Sequence, residues 1–246
     1  VHVSPTETVS TTLGTELTDI NAMLDKGSDT TNNYKAKLDN FIQEGDVVQS
    51  FTFIVYSADG SSSLGDFKGG YGVSVKDGCA SATDAGWYQA ADFEQSQNSA
   101  YAEFTWNVPA EIQTEIDPSG EVLFGHWWSN VQQVKLSSIV CTYTRTKEVP
   151  VDGTNSASPA ATLSFNDEAA KTAKIALSDL IGAEDTLQTV TFDISGTGAL
   201  GKFTGAFGVS VDKNADCATD AGWYQTKNVC VFTDSSSLSL TWIVPD

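Results

Sequence analysis

The chain repeats itself, so whatever fold it adopts must be built twice within 246 residues. "GDFKGGYGVSV" (65–75) returns as "GKFTGAFGVSV" (201–211), "ATDAGWYQ" (82–89) returns unchanged at 218–225, and "FTWNVP" (104–109) returns as "LTWIVP" (240–245). All three pairs lie 136 residues apart, as Trp87 does from Trp223. Upstream, "QSFTF" (49–53) matches "QTVTF" (188–192) at a spacing of 139, and the three-residue difference falls in a Gly/Ser-rich turn, where a hairpin tolerates it. Self-similarity at fixed spacing marks repeated modules. The expected organisation is a first module over 1–148, a linker over 149–160 with Pro, Gly, Asn and Ser around it, and a second module over 161–246. The first copy continues into "EVLFGHWWSNVQQVKLSSIVCTYT", which has no counterpart in the second. The second copy is therefore expected to lack its last strands, either cut within the module or completed by something outside these residues, with edges that invite pairing.

Alternation assigns the strand faces. Phe51, Phe53 and Val55 share one side, matched by Val190, Phe192 and Ile194; Phe67, Tyr71, Val73 and Val75 are matched by Phe203, Phe207, Val209 and Val211. Phe104, Trp106 and Val108 align likewise with Leu240, Trp242 and Val244, which places both of these tryptophans in a core. Short strands separated by turns such as "ADGSSS" and "DKNAD" predict an all-β fold of two tandem antiparallel β-sandwich, jelly-roll-like modules. Helical pattern is weak, with "LTDINAMLD" (17–25) and "FNDEAAKTAKIALSDLI" (165–181) as the candidates.

Composition removes several functions. A net charge of −19, with no basic patch, repels a phosphate backbone and speaks against nucleic acid or anionic membrane as partner. No apolar run approaches the roughly 18 residues of a membrane span, and the start "VHVSPTETVS" lacks the basic and apolar regions of a signal peptide, as expected of a mature or excised segment. The acidic surface suits a soluble extracellular protein, secreted or at the cell surface. Cys79, Cys141, Cys217 and Cys230 show no CxxC spacing, and a disulfide in either half is left open. With His2 and His126 as the only histidines, neither a His-based metal cluster nor a repeated Ser-His-Asp set can be assembled, and no cofactor is expected. A calcium site from turn aspartates such as Asp77 and Asp84 is conceivable but unspecific. Among acids in the repeated blocks Asp84 recurs as Asp220 and Asp46 as Asp185, while Asp66, Glu94 and Glu103 become Lys202, Cys230 and Ser239. A repeated carboxylate pair for glycoside hydrolysis is thus poorly supported.

The candidate binding residues are aromatic. In "FGHWWSN" (124–130) two tryptophans are adjacent in a strand, and successive side chains point to opposite faces. Val122, Phe124, His126 and Trp128 fall on one face and Leu123, Gly125 and Trp127 on the other, which makes Trp127 the outward member and Trp128 marginal to the core. A bulge at Gly125 would turn both rings to one side. Trp87 and Trp223, each after "DAG", read either as core aromatics beside a turn or as stacking residues. An exposed indole suits the C–H face of a pyranose, with Gln89, His126 and Asn130 placed to meet its hydroxyls; each is equally at home as an ordinary surface residue.

"GYGVSVKDGCASATDAGWYQ", then "FTWNVP", then "EVLFGHWWSNVQQVKLSSIVCTY" resemble the carbohydrate-binding modules of cellulosomal and cell-surface proteins from rumen cellulose-degrading bacteria. The nearest likeness is to the β-glucan-binding family numbered seventy-nine, with tandem cellulose-binding modules of a surface adhesion protein as the alternative. It covers about residues 34–145 and, less completely, 162–246. It implies a β-sandwich without catalysis whose flat tryptophan face takes cellulose or soluble β-1,4-glucans and anchors an enzyme complex or cell to plant cell wall. Trp87, Trp127 and Trp128 would form that face in the first copy, and Trp223 would be its single retained member in the second. Other modules of a larger cellulosomal or cell-surface protein would be the remaining partners. A β-sandwich glycoside hydrolase and a protein-docking scaffold module are the alternatives.

Overall fold

The computed structural model describes residues 6–76, 79, 83–150, 153–212, 215, 219–226 and 228–245. The chain falls into two compact units, one of Ser10–Thr146 with Asp193–Leu238 and one of Val1–Val9, Lys147–Phe192 and Ser239–Asp246. The first copy forms ten strands: β1 (Thr6–Leu17), β2 (Ala22–Asp25), β3 (Asn33–Lys37), β4 (Val47–Ser57), β5 (Gly65–Ser74), β6 (Trp87–Gln89), β7 (Phe93–Gln97), β8 (Tyr101–Asn107), β9 (Glu121–Trp128) and β10 (Gln133–Pro150). One sheet runs β1-β10-β4-β8 with β2 also on β10; the other runs β3-β9-β5-β6 with β7 also on β5. They form the antiparallel β-sandwich expected from the alternation.

The strands exist because apolar and polar residues alternate along them, and the inner faces meet in a column of rings. Phe53 stacks on Phe124 across the sandwich at 4.8 Å, and Phe67 meets Phe104 at 4.4 Å. Trp106, 7% exposed, lies against Tyr71 at 5.6 Å and Phe51 at 6.1 Å, so the period-two assignment of this tryptophan to the core holds. Trp242 is buried in the second copy as well. At the sandwich end Arg145 clasps Asp46 with two parallel bonds of 2.7 and 2.6 Å, and Asp46 also accepts from the Gln43 amide. Such bidentate, charge-assisted pairs are the strong ones.

The repeat extends to three dimensions. A 3₁₀ turn at Leu38–Asn40 has its twin at Leu177–Asp179, and the Gly182 amide donates to Asp185 as Gln43 does to Asp46. The second copy adds β11 (Thr189–Ser195), β12 (Gly201–Gly205), β13 (Gly208–Ser210), β14 (Trp223–Gln225), β15 (Val229–Thr233) and β16 (Ser237–Ile243). Among the described residues these pair only two by two: β11 with β16, β12 with β15, β13 with β14. Counterparts of β9 and β10 are what would join them. Leu24, carried on β2 against β10, is 2% exposed, whereas its equivalent Leu163 is 48% exposed.

Both helical expectations are corrected. Residues 17–25 contain strand β2, because hydrogen bonding to β10 outweighs local propensity, and 165–181 holds turns and a 3₁₀ turn. No helix of the described chain is long and apolar enough to cross a membrane. Cys79, Cys141 and Cys230 are buried thiols outside any disulfide, with burial pushing the Cys141 and Cys230 thiols up; Cys217 lies outside the described residues.

Tyr71 carries the one buried side-chain polar atom among the described residues that lacks a hydrogen-bond partner, its hydroxyl. The second copy has Phe207 at this position. Replacing a buried, unsatisfied hydroxyl by hydrogen removes a desolvation penalty. Tyr71→Phe is therefore expected to leave stability unchanged or raise it by about 1 kcal/mol in urea melts. A loss of that size would reveal a partner for the hydroxyl.

Candidate functional site

The outer face of the β3-β9-β5-β6 sheet gathers the candidate residues. Register pairs Gly72 with Leu123 and Gln89, Gly70 with Gly125, and Ser74 with Trp87, so these positions share one side, opposite to the Phe124 and Tyr71 core. The alternation then breaks. Gly69 pairs with His126 but Lys68 pairs with Trp128, so Trp127 is the extra residue of a bulge. The bulge falls at Trp127 rather than at Gly125, and it sets Trp128 opposite the outward-facing Lys68. Trp87, Trp127 and Trp128 consequently lie on the same face, and none is in the core.

Each of two rings closes directly over bare glycine backbone. A Cβ built on Gly70 would stand 2.8 Å from Trp127 Cζ2, one on Gly125 2.3 Å from Trp127 Cη2, and one on Gly72 2.5 Å from Trp87 Cζ2. The indole N–H groups are held at the ends. Trp127 Nε1–H donates to Asp92 Oδ1 at 3.0 Å, and Trp87 Nε1–H to Gln89 Oε1 at 3.2 Å, while the Gln89 amide nitrogen donates to the Tyr71 carbonyl. Trp128, 52% exposed, has the Lys26 ammonium 4.1 Å from its ring centroid, and Lys35 stands 5.3 Å from that of Trp87. Trp223 repeats the Trp87 arrangement: its ring covers Gly208, where a Cβ would stand 2.6 Å away, and its N–H donates to Gln225 at 3.3 Å.

Two expectations are corrected here. Trp127 points outward but is half-buried by its glycine bed, and Trp128 is the wetter of the pair; the bulge reverses the order that strict alternation implies. His126 cannot touch a ligand, because it is 0% exposed. Its Nδ1–H donates to the Leu24 carbonyl at 3.1 Å, and its Nε2 lies 2.9 Å from the Ser129 hydroxyl, which itself donates to the Val131 carbonyl. The inner parity it shares with Phe124 was the signal for this role as an internal brace. Gln89 and Asn130 are exposed, Gln89 on this face.

The sequence did not single out Asp92, Lys26 or Lys35; no local pattern marks them, since loop and register alone carry them to the rings. The carboxylates of the face are engaged: Glu121 with Lys37 at 2.9 Å and Lys35 at 3.8 Å, Glu94 with Lys68 at 3.2 Å, and Asp92 with the indole. Among the described residues no group of three or more His, Cys, Asp or Glu is placed to hold a metal; Asp77 lies outside them.

Burial pushes the His126 imidazole below its ordinary pKa. The unfolded chain then takes up a proton that the folded chain refuses, so this contribution is complete above about pH 6.5 and is lost as pH falls below it. Melts between pH 7 and 5 are expected to show a downward trend that is shallower in His126→Asn; equal slopes would remove His126 as the cause.

Comparison with known proteins gives the following. The family model described as "Domain of unknown function (DUF5620)" matches residues 28–142 and 167–246. Among solved structures, a carbohydrate binding module from a glycoside hydrolase family 9 enzyme (Cel9A) of Ruminococcus flavefaciens FD-1 is 18% identical, with a TM-score of 0.44, over 53% of this chain and 98% of that one. No curated protein matches.

Proposed function

The chain belongs to the DUF5620 family, and from that premise we propose that it is a non-catalytic, extracellular polysaccharide-binding protein. Its first copy takes cellulose or soluble β-1,4-glucans on the outer face of the β3-β9-β5-β6 sheet and so anchors an enzyme complex or cell to plant cell wall. The observation that carries this reading is the meeting of Trp87, Trp127 and Trp128 on one face, two of them closed over glycine. A flat row of indoles matches the C–H faces of an extended glucan and loses little rotamer entropy on contact. Gln89, Lys26 and Lys35 at the rings supply donors for hydroxyls. Among the described residues of this face Glu121, Glu94 and Asp92 are bonded within it and Asp66 accepts from the Ser96 hydroxyl, which speaks against a free carboxylate pair for hydrolysis. In the second copy Trp223 is the ring that corresponds to Trp87.

The full chain is expected to be retarded in native gels containing hydroxyethylcellulose and pulled down by insoluble cellulose. Trp87→Ala, Trp127→Ala and Trp128→Ala should each weaken binding at least tenfold, about 1.4 kcal/mol. Trp128→Ala should melt like the parent. Trp106→Ala, a core deletion, should lose about 3–5 kcal/mol of stability without touching the face. Reducing sugar released from the glucan would replace this reading with a hydrolase. Protein left unretarded by every glucan, with the chain folded, would favour docking to a protein.

A further inference from the structure

The second copy retains the glycine beneath the tryptophan it retains, and not the other. Gly72 under Trp87 becomes Gly208 under Trp223, with the Gln89 partner kept as Gln225. Gly70, buried beneath Trp127, becomes Ala206, which is exposed. Gly70 and Gly125 have no positive φ, so backbone conformation does not demand glycine at either position. What demands it is close approach. A Cβ on Gly70 would stand 2.8 and 2.9 Å from Trp127 Cζ2 and Nε1, and one on Gly125 2.3 and 2.5 Å from Cη2 and Cζ2, inside the distances real side chains adopt.

We infer that Gly70, Gly125 and Asp92 are positioning residues for Trp127, and that position 70, alanine at 206 in the second copy, is one at which the two copies differ in the ring they can seat. The glycines let the ring lie on the sheet, and the carboxylate of Asp92 fixes its rotation through the indole N–H at 3.0 Å. A methyl group at position 70 displaces the ring from the place it holds against Gly70 and Gly125. Ala206 therefore bars a ring laid in this way. This rests on the glucan-binding reading above for its ligand, but not for the placement of the ring.

The test is Gly70→Ala in the full chain, with Asp92→Ala and Asp92→Asn beside it. The Trp127 indole N–H resonance is assigned by its loss in Trp127→Phe, and affinity is read by retardation in hydroxyethylcellulose gels. Gly70→Ala is expected to shift that resonance and to weaken binding at least tenfold, with a melt within a few degrees of the parent. Asp92→Ala should move the resonance and weaken binding, and Asp92→Asn, whose amide oxygen still accepts, should restore most of it. An unmoved Trp127 resonance in Gly70→Ala overturns the inference. So does parental retardation of Gly70→Ala where Trp127→Ala has lost it, and the glucan reading then stands. If the parent itself is not retarded by any glucan, that reading falls and the resonance alone decides the placement. Should Gly70→Ala fail to fold, the Asp92 pair decides.

Discussion

Four strands of the first copy have neighbours on both sides, β4 and β10 in one sheet and β5 and β9 in the other, and of these β9 and β10 have no counterpart in the described second copy. β9 lies between β3 and β5, and β10 between β4 and the β1 and β2 edge, so each sheet is held through one of them. They also bring Phe124 and Ile139, both at 0% exposure, to the middle of the core. Edge strands can fray singly, but a sheet parted at its centre leaves two-stranded ladders, which are marginal in water. The described second copy displays that limit. Its ladders are pairs, and Phe192, whose equivalent Phe53 is fully buried, is only partly covered.

Much of this was legible in the sequence, because the repeat and the period of two are local signals. The inward faces of β4, β5 and β8 and the burial of Trp106 and Trp242 follow from counting. What was not legible depended on pairing. "NAMLD" forms a strand because β10 lies beside it, and the bulge at Trp127 exists through register with Lys68, which no window of sequence contains. His126 is the instructive case. Its parity with Val122 and Phe124 pointed inward, but its polar ring and its neighbours suggested a ligand contact; parity won, and the hydrogen-bonding capacity was spent on Leu24 and Ser129.

The glycines illustrate a different kind of information. Glycine in a strand interior weakens it through chain entropy and missing side-chain cover. Gly70, Gly72 and Gly125 sit side by side in the centre of the β5–β9 region, where such a weakness would matter most. Trp127 and Trp87 provide the cover, an aromatic rescue of the glycines by residues on the neighbouring strand or two positions away. The same rings therefore serve the sheet and the face.

That roof of indole has one more effect. The amides and carbonyls of Gly70, Gly72 and Gly125 lie beneath the rings, so a polymer resting on top meets carbon and a few mobile side chains instead of fixed main-chain groups. Orientation in a binding site is ordinarily set by a small number of precisely placed polar groups. A surface with its main chain roofed over has little means of imposing register on a repeating ligand, or of telling one chain direction from the other. Under the glucan reading proposed above, a chain held this way is free to shift along the strip in steps of its own repeat.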